Sequence, residues 1–183
     1  KIEVHNLQTG ETYQESYDHL VIATGSSPIK PGIPGIKAEN IFTVWTVPDT
    51  DQIKQYIADN HPKSAAVIGG GFIGLEMAEN LHDAGLSVSI IEMQTQVMAP
   101  LDPEMADLLH ENLNMNQVDL ILGDGVKEFH NVENKTQIEL TSGKKVDADL
   151  VVLAIGVKPN SELAKECGIA LNQKGGIAAD EYL

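Results

Sequence analysis

The chain has 183 residues and a mass of 19.7 kDa, with 12 basic against 27 acidic side chains, a formal charge of -15 and a pI near 4.6. All 12 cations are lysine, so the clustered Lys and Arg that displace counterions from a phosphate backbone are missing, and nucleic acid is excluded as a partner. The longest apolar runs, such as Leu150 to Ile155, fall far short of the roughly 18 residues of a membrane helix, no basic-then-apolar signal opens the chain, and a hydrophobic share of 42% suits a soluble globular core.

At roughly 150 residues per domain the length corresponds to one domain with extra pieces. The single cysteine, Cys167, excludes an intrachain disulfide framework and fits a reducing cytosol, so a cytoplasmic protein is expected. The chain opens at Lys1 as a strand pair rather than as a natural start: Ile2, Val4 and Leu7 alternate loosely before the turn signal Gln8-Thr9-Gly10, and a second strand is expected over Glu11 to Ser16. Next comes an apolar run, Leu20-Val21-Ile22-Ala23, that reads as a buried strand ended by Thr24-Gly25-Ser26. Pro28, Pro31, Gly32, Pro34 and Gly35 sustain neither a helix nor a central strand, which places a domain boundary there.

Beyond an extended Ile41 to Trp45, Thr46 followed by Pro48 and Asp49 has the composition of a helix start, with Ile53 and Ile57 sharing the buried face. The pattern then alternates: strand Ala65 to Ile68, helix Gly71 to about Ala84, strand Val88 to Ile91, helix from about Asp102 to Leu113, strand Val118 to Leu122. Strand and helix in alternation predict an α/β fold with a Rossmann-like parallel sheet. Shorter strands near Val126 to His130, Gln137 to Leu140 and Lys144 to Val146, with turns at Glu133-Asn134 and Ser142-Gly143, predict an antiparallel β-meander. A buried strand Leu150 to Ile155 ends at Gly156, and a short helix from about Ser161 to Cys167 and a last strand near Gly176 to Ala179 complete the chain.

The strongest chemical signal is the run from Ala66 to Gly74, which sets Gly69, Gly71 and Gly74 in a G-x-G-x-x-G pattern between a predicted strand and a predicted helix. Gly69 permits the tight turn, Gly71 lets a pyrophosphate approach the backbone, and Gly74 lets the helix pack close to the sheet. The free N–H groups and positive end of that helix would hold the diphosphate, which makes Gly69, Gly70, Gly71, Phe72, Ile73 and Gly74 the candidate NAD(H) contacts. Glu92 stands 18 residues after Gly74, at the end of the second strand, where a carboxylate accepts hydrogen bonds from an adenosine ribose. That acid repels a 2'-phosphate and no arginine offsets it, so NADH is expected over NADPH. Gly156, at the carboxyl edge of a parallel strand, lies where such folds admit ligands. The histidines at 5, 19, 61, 82, 110 and 130 lack metal-ligand spacing, so no metal is expected. Cys167 sits at a glycine-closed helix end without a second thiol, which argues against catalysis there. On these residues alone, a non-catalytic dinucleotide-sensing module or another Rossmann-type enzyme, such as a methyltransferase, stays open. Against the latter stands the third glycine at Gly74.

Three ordered motifs carry a resemblance: Tyr17-Asp18-His19-Leu20-Val21-Ile22-Ala23-Thr24-Gly25-Ser26, Gly69 to Gly74 with Glu76, and Ala154-Ile155-Gly156-Val157-Lys158-Pro159-Asn160. Together they resemble the FAD-dependent pyridine nucleotide-disulfide oxidoreductases across essentially the whole chain. The stretches Gly71 to Leu81, Ile91 to Met98 and Leu101 to Met105 are most similar to coenzyme A-disulfide reductases, including rhodanese-fused versions, with NADH oxidases and peroxidases as close relatives. The resemblance implies that residues 1–35 end the first half of an FAD-binding domain, 36–156 form an inserted NAD(H)-binding domain, and 157–183 return to the FAD-binding domain. It implies that a parent protein, expected as a homodimer, supplies the amino-terminal FAD motif, the redox cysteine and the dimerisation domain, so that no catalytic residue lies in this stretch and the stretch alone is inactive. It further implies that Thr24 and Gly25 touch FAD, that Glu76 lies near the nicotinamide with Ile155 and Gly156, and that Phe72 gates the nicotinamide pocket. Hydride would pass from NADH to FAD and on to a disulfide such as coenzyme A disulfide, or to oxygen or peroxide in the oxidase and peroxidase alternatives.

Overall fold

The loose alternation at the start of the chain closes as an antiparallel hairpin, β1 (Ile2–His5) and β2 (Thr12–Glu15), with Ile2 opposite Glu15 and His5 opposite Thr12. Its turn is fixed by the Asn6 side chain, whose Oδ1 accepts the N–H groups of Gln8 (2.9 Å) and Thr9 (3.1 Å). The computed structural model describes residues 1–133 and 135–182, so the Asn134 half of the predicted Glu133-Asn134 turn lies outside them. The remaining elements follow in chain order: β3 (Ser26–Pro28), β4 (Ile41–Thr43), α1 (Val47–Asn60), β5 (Ser64–Ile68), α2 (Phe72–Asp83), β6 (Ser87–Glu92), α3 (Pro103–Met115), β7 (Asp119–Leu122), β8 (Val126–Val132), β9 (Lys135–Leu140), β10 (Lys145–Ala148), β11 (Leu150–Leu153), β12 (Val157–Pro159) and α4 (Glu162–Glu166). They form two compact units, the smaller made of residues 1–26 and 159–183 and the larger of residues 27–158.

The larger unit is built on a five-stranded parallel sheet in the order β4-β11-β5-β6-β7. Its central strands read as unbroken apolar runs because both faces are covered. Ala65 and Val67 of β5, Val88 and Ile90 of β6, and Leu150 and Val152 of β11 pack with Ile53 of α1 and with Ala78 and Leu81 of α2. Their neighbours Ala66, Ile68, Ile91, Val151 and Leu153 point the other way, onto Phe129, Ile138 and Leu140 of the three-stranded meander β10-β9-β8. The period-two alternation of a strand thus sorts one apolar run into two cores. Helix α1 starts where the sequence places it: the Asp49 carboxylate accepts the Thr46 N–H at 2.7 Å and the Thr46 hydroxyl at 2.8 Å, and these bonds to Thr46 hold its carboxyl below the usual range. The proline-rich stretch packs as well as links, since Ile33 and Ile36 lie against the meander-side core. The two ends of the unit meet where the Ile29 N–H donates to the Gly156 carbonyl at 3.0 Å.

The smaller unit departs from expectation at two places. Leu20-Val21-Ile22-Ala23 forms no strand, and Val21 is 86% exposed. A buried parallel strand draws its hydrogen bonds and its cover from neighbours, and among the described residues no strand pairs with this segment. The expected strand at Gly176 to Ala179 reduces to one antiparallel bridge, Leu171 to Ile177, because the chain turns tightly between them, with the Asn172 Oδ1 accepting the N–H groups of Lys174 and Gly176. The strand predicted through Ile155 also stops early, at Leu153, where the chain leaves the sheet toward Gly156.

Candidate functional site

At the carboxyl edge of β5 the chain turns through Gly69, whose φ of +109° disfavours any side chain. A Cβ there would also lie 2.5 Å from the Ala154 carbonyl oxygen. The Gly69 N–H donates to Ile91 O at 2.8 Å, so the loop is stitched to the end of β6 before it enters α2. Gly74 faces back: a Cβ on it would fall 1.9 Å from the Gly69 carbonyl oxygen, which makes it the contact that lets helix and strand close together. Gly71, the N-cap of α2, is different. Its φ of -83° suits any residue and a Cβ would meet nothing within 4 Å. It borders open space.

That space is a cavity of about 710 Å³. Gly69, Gly70, Gly71, Phe72 and Ile73 line it together with Glu92, Met93, Ile155 and Gly156. Glu92 is half-buried and spans two segments: its Oε2 accepts the Gly70 N–H at 2.6 Å and its Oε1 accepts the Gln94 N–H at 2.7 Å. An ionised carboxylate has about four acceptor positions, so two remain for a ligand hydroxyl. The N–H groups of the first turn of α2 have no partner within the helix and are directed out of its N-terminus, beside the positive end of its dipole. An open glycine, free amides and a carboxylate with spare acceptor capacity fit the diphosphate and ribose of a dinucleotide.

The other predicted residues separate. Phe72 is 71% exposed at the cavity wall. Ile155 lines the cavity, and Gly156 lines it with a φ of +109°. Glu76 is exposed on α2 and is not among the cavity-lining residues. Thr24 and Gly25 belong to the smaller unit, where the Thr24 hydroxyl donates to the Asn160 carbonyl, the Asn160 side-chain amide donates to Thr24 O at 3.0 Å, and the Asn160 N–H donates to Gly25 O at 2.9 Å. The first and third motifs are therefore joined by hydrogen bonds.

Sequence reasoning missed the contribution of the meander. Asp124, Gly125 and Thr141 also line the cavity. Asp124 accepts the Ser142 hydroxyl (2.5 Å) and the Thr141 hydroxyl (2.7 Å), bonds that hold its carboxyl below the ordinary range. The Gly123-Asp124-Gly125 run signals a turn, but nothing local reveals what that turn borders. The histidines stay scattered except His130, whose Nε2 lies 3.5 Å from Glu128 and 3.4 Å from Glu139. Lys127 sits 2.6 Å from Glu139 in the same group, so these two form an ion pair with the His130 ring beside it. Cys167 is exposed and free. Among the described residues, no helix is long and apolar enough to cross a membrane.

Residues 1–183, the whole chain, match the family described as pyridine nucleotide-disulphide oxidoreductase. The chain belongs to this family. Members similar to it include an NADH oxidase of Methanocaldococcus jannaschii, 38% identical over 165 residues, which are 90% of this chain and 37% of that protein. The crystal structure of reduced Bacillus anthracis CoADR-RHD is 46% identical with a TM-score of 0.90, covering 94% of this chain and 31% of that one. An engineered water-forming NADPH oxidase bound to NADPH, derived from the Lactobacillus brevis NADH oxidase, is 30% identical with a TM-score of 0.87, covering 98% of this chain and 39% of that one. The chain thus spans about two-fifths or less of the length of these family members, and the two solved structures share its Rossmann-type fold.

Proposed function

We propose that this chain is the NADH-binding portion of a flavin-dependent disulfide oxidoreductase. The observation that carries the reading is the pairing of Glu92 with the glycine loop: a carboxylate with spare acceptors stands beside an open Gly71 at a helix N-terminus. The glycine loop and the amides of α2 hold the diphosphate, Glu92 accepts from the adenosine ribose, and Phe72, Ile155 and Gly156 border the remaining length of the cavity. Bound NADH supplies a hydride at its nicotinamide ring. The family resemblance assigns Glu76, which lies outside the cavity lining, to the nicotinamide and Thr24 and Gly25 to FAD in the intact protein, with residues 1–35 and 157–183 as FAD-domain segments around a 36–156 NAD(H) domain, although residues 27–35 pack with the larger unit.

Glu92 also sets the preference for NADH. In the engineered NADPH oxidase the changes from its NADH-oxidase parent remove one aspartate and add two arginines, and that aspartate follows the substituted glycine by the same 18 residues that separate Gly74 from Glu92. This chain keeps the acid and has no arginine. Replacing Glu92 by Ala should weaken NADH binding about tenfold and narrow its advantage over NADPH, the expected loss for a charge-assisted hydrogen bond. Isothermal titration with both cofactors reads this directly, and an unchanged NADH affinity refutes the ribose assignment.

For the final acceptor, a disulfide such as coenzyme A disulfide is the preferred reading. The name of the Methanocaldococcus relative favours oxygen as the second. Comparing NADH consumption by the intact protein, proposed as a cytoplasmic homodimer, under anaerobic conditions with coenzyme A disulfide and under air without it separates the two.

A further inference from the structure

The wall of the cavity formed by Met98, Ala99 and Pro100 has no glycine to give it its shape. Met98 adopts a φ of +49°, a left-handed conformation that costs a non-glycine residue about 1 kcal/mol or more, so the segment depends on what holds it. Two grips are visible. On one side the Met98 N–H donates to the Gly70 carbonyl at 2.8 Å, and the Val97 side chain occupies the space a Cβ on Gly70 would need, 2.9 Å away. On the other side the N–H of the fully buried Val97 donates to Nε2 of His110, on α3, at 3.2 Å.

Only an unprotonated Nε2 accepts that bond, and the other ring nitrogen, Nδ1, lies 3.4 Å from the Asp107 carboxylate. We propose that His110 is a positioning residue for the dinucleotide crevice: its neutral ring, acting through the Val97 N–H, holds the 96–101 segment against the glycine loop, and its protonation releases that segment and weakens dinucleotide binding. This rests on the dinucleotide reading of the cavity. The incoming proton takes the Nε2 lone pair, two donors then face each other, and a buried amide loses its acceptor. Asp107 is the charged group within 4 Å of the ring among the described residues. The 93–101 segment carries no ionisable side chain, Glu111 is the next residue of α3, and β7, which packs on α3, contributes only Asp119 at its first position. Protonation reverses the polarity of Nε2 from acceptor to donor.

The test combines titration of NADH with amide NMR on the wild-type protein and on His110→Ala, at about pH 8 and about pH 5.5, spanning histidine titration. In the wild type the Val97 and Met98 amide resonances should move with the same midpoint as the His110 ring, and NADH affinity should fall about fivefold over that range, the effect of one lost hydrogen bond. His110→Ala should bind NADH about fivefold more weakly at the higher pH and lose most of the pH dependence. A Val97 amide indifferent to pH in the wild-type protein overturns the proposal even if the variant fails to fold, as does a folded variant with wild-type affinity and pH profile. Absence of NADH binding by the wild type at either pH would instead remove the dinucleotide reading, while the amide titration would still report on the contact itself.

Discussion

Asp149 and Glu92 are carboxylates associated with opposite edges of one parallel sheet, and they are used differently. Asp149, between β10 and β11 with a side chain 15% exposed, is saturated: one oxygen accepts the Lys63 N–H (2.8 Å), the Ser64 N–H (2.9 Å) and the Ser64 hydroxyl (3.1 Å), and the other faces Lys135 Nζ at 3.3 Å. Glu92 accepts two backbone N–H groups and has capacity left, at the wall of a cavity. A carboxylate whose acceptors are all taken locks a fold, whereas one with spare acceptors beside open space can receive a ligand.

The glycine loop offers the largest effect that sharpens this distinction between lock and seat. Gly74→Val forces a branched side chain against the Gly69 carbonyl and should destabilise the protein by about 3 kcal/mol in urea unfolding. Gly71→Val, whose added atoms enter open space, should leave the unfolding midpoint nearly unchanged while abolishing NADH binding in the same titration. Equal stability losses would erase the division of labour between the two glycines.

A smaller effect breaks or confirms the lock. Burial pushes the Asp149 carboxyl up, but the Lys63 and Ser64 bonds and Lys135 outweigh it and hold the group below its ordinary range. A carboxyl depressed in the folded state contributes stability that is complete above its unfolded pKa and is lost as pH falls through the folded value. Asp149→Asn should therefore cost about 2 kcal/mol at neutral pH, with the gap to wild type closing in acid. A gap that is constant with pH in urea melts would show that the charge contributes nothing. Smallest is the meander ion pair, where the Lys127 hydrogen bond holds the Glu139 carboxyl low. Lys127→Gln should return that carboxyl toward its usual titration range in a carbon-detected NMR titration, with dinucleotide affinity untouched.

What could be read from the sequence follows from how local each feature is. The glycine loop, the Thr46 helix start and the strand-helix alternation from β5 to β7 are set by residues adjacent in the chain, and all three form as expected. Glu92 was legible because the spacing of a strand-helix-strand unit is nearly fixed. Leu20 to Ala23 misled because an apolar run specifies burial only where neighbours exist to cover it. Asp124 and Thr141 reach the cavity through the packing of one sheet on another, and the grip of His110 on Val97 depends on a loop whose course no short-range pattern encodes.

The larger unit enters and leaves at adjacent points, where Ile29 bonds to Gly156. A module with neighbouring ends can be spliced into a host polypeptide with little loop-closure entropy. The same adjacency makes it portable: a graft at these two sites asks its recipient only for two chain ends that lie side by side.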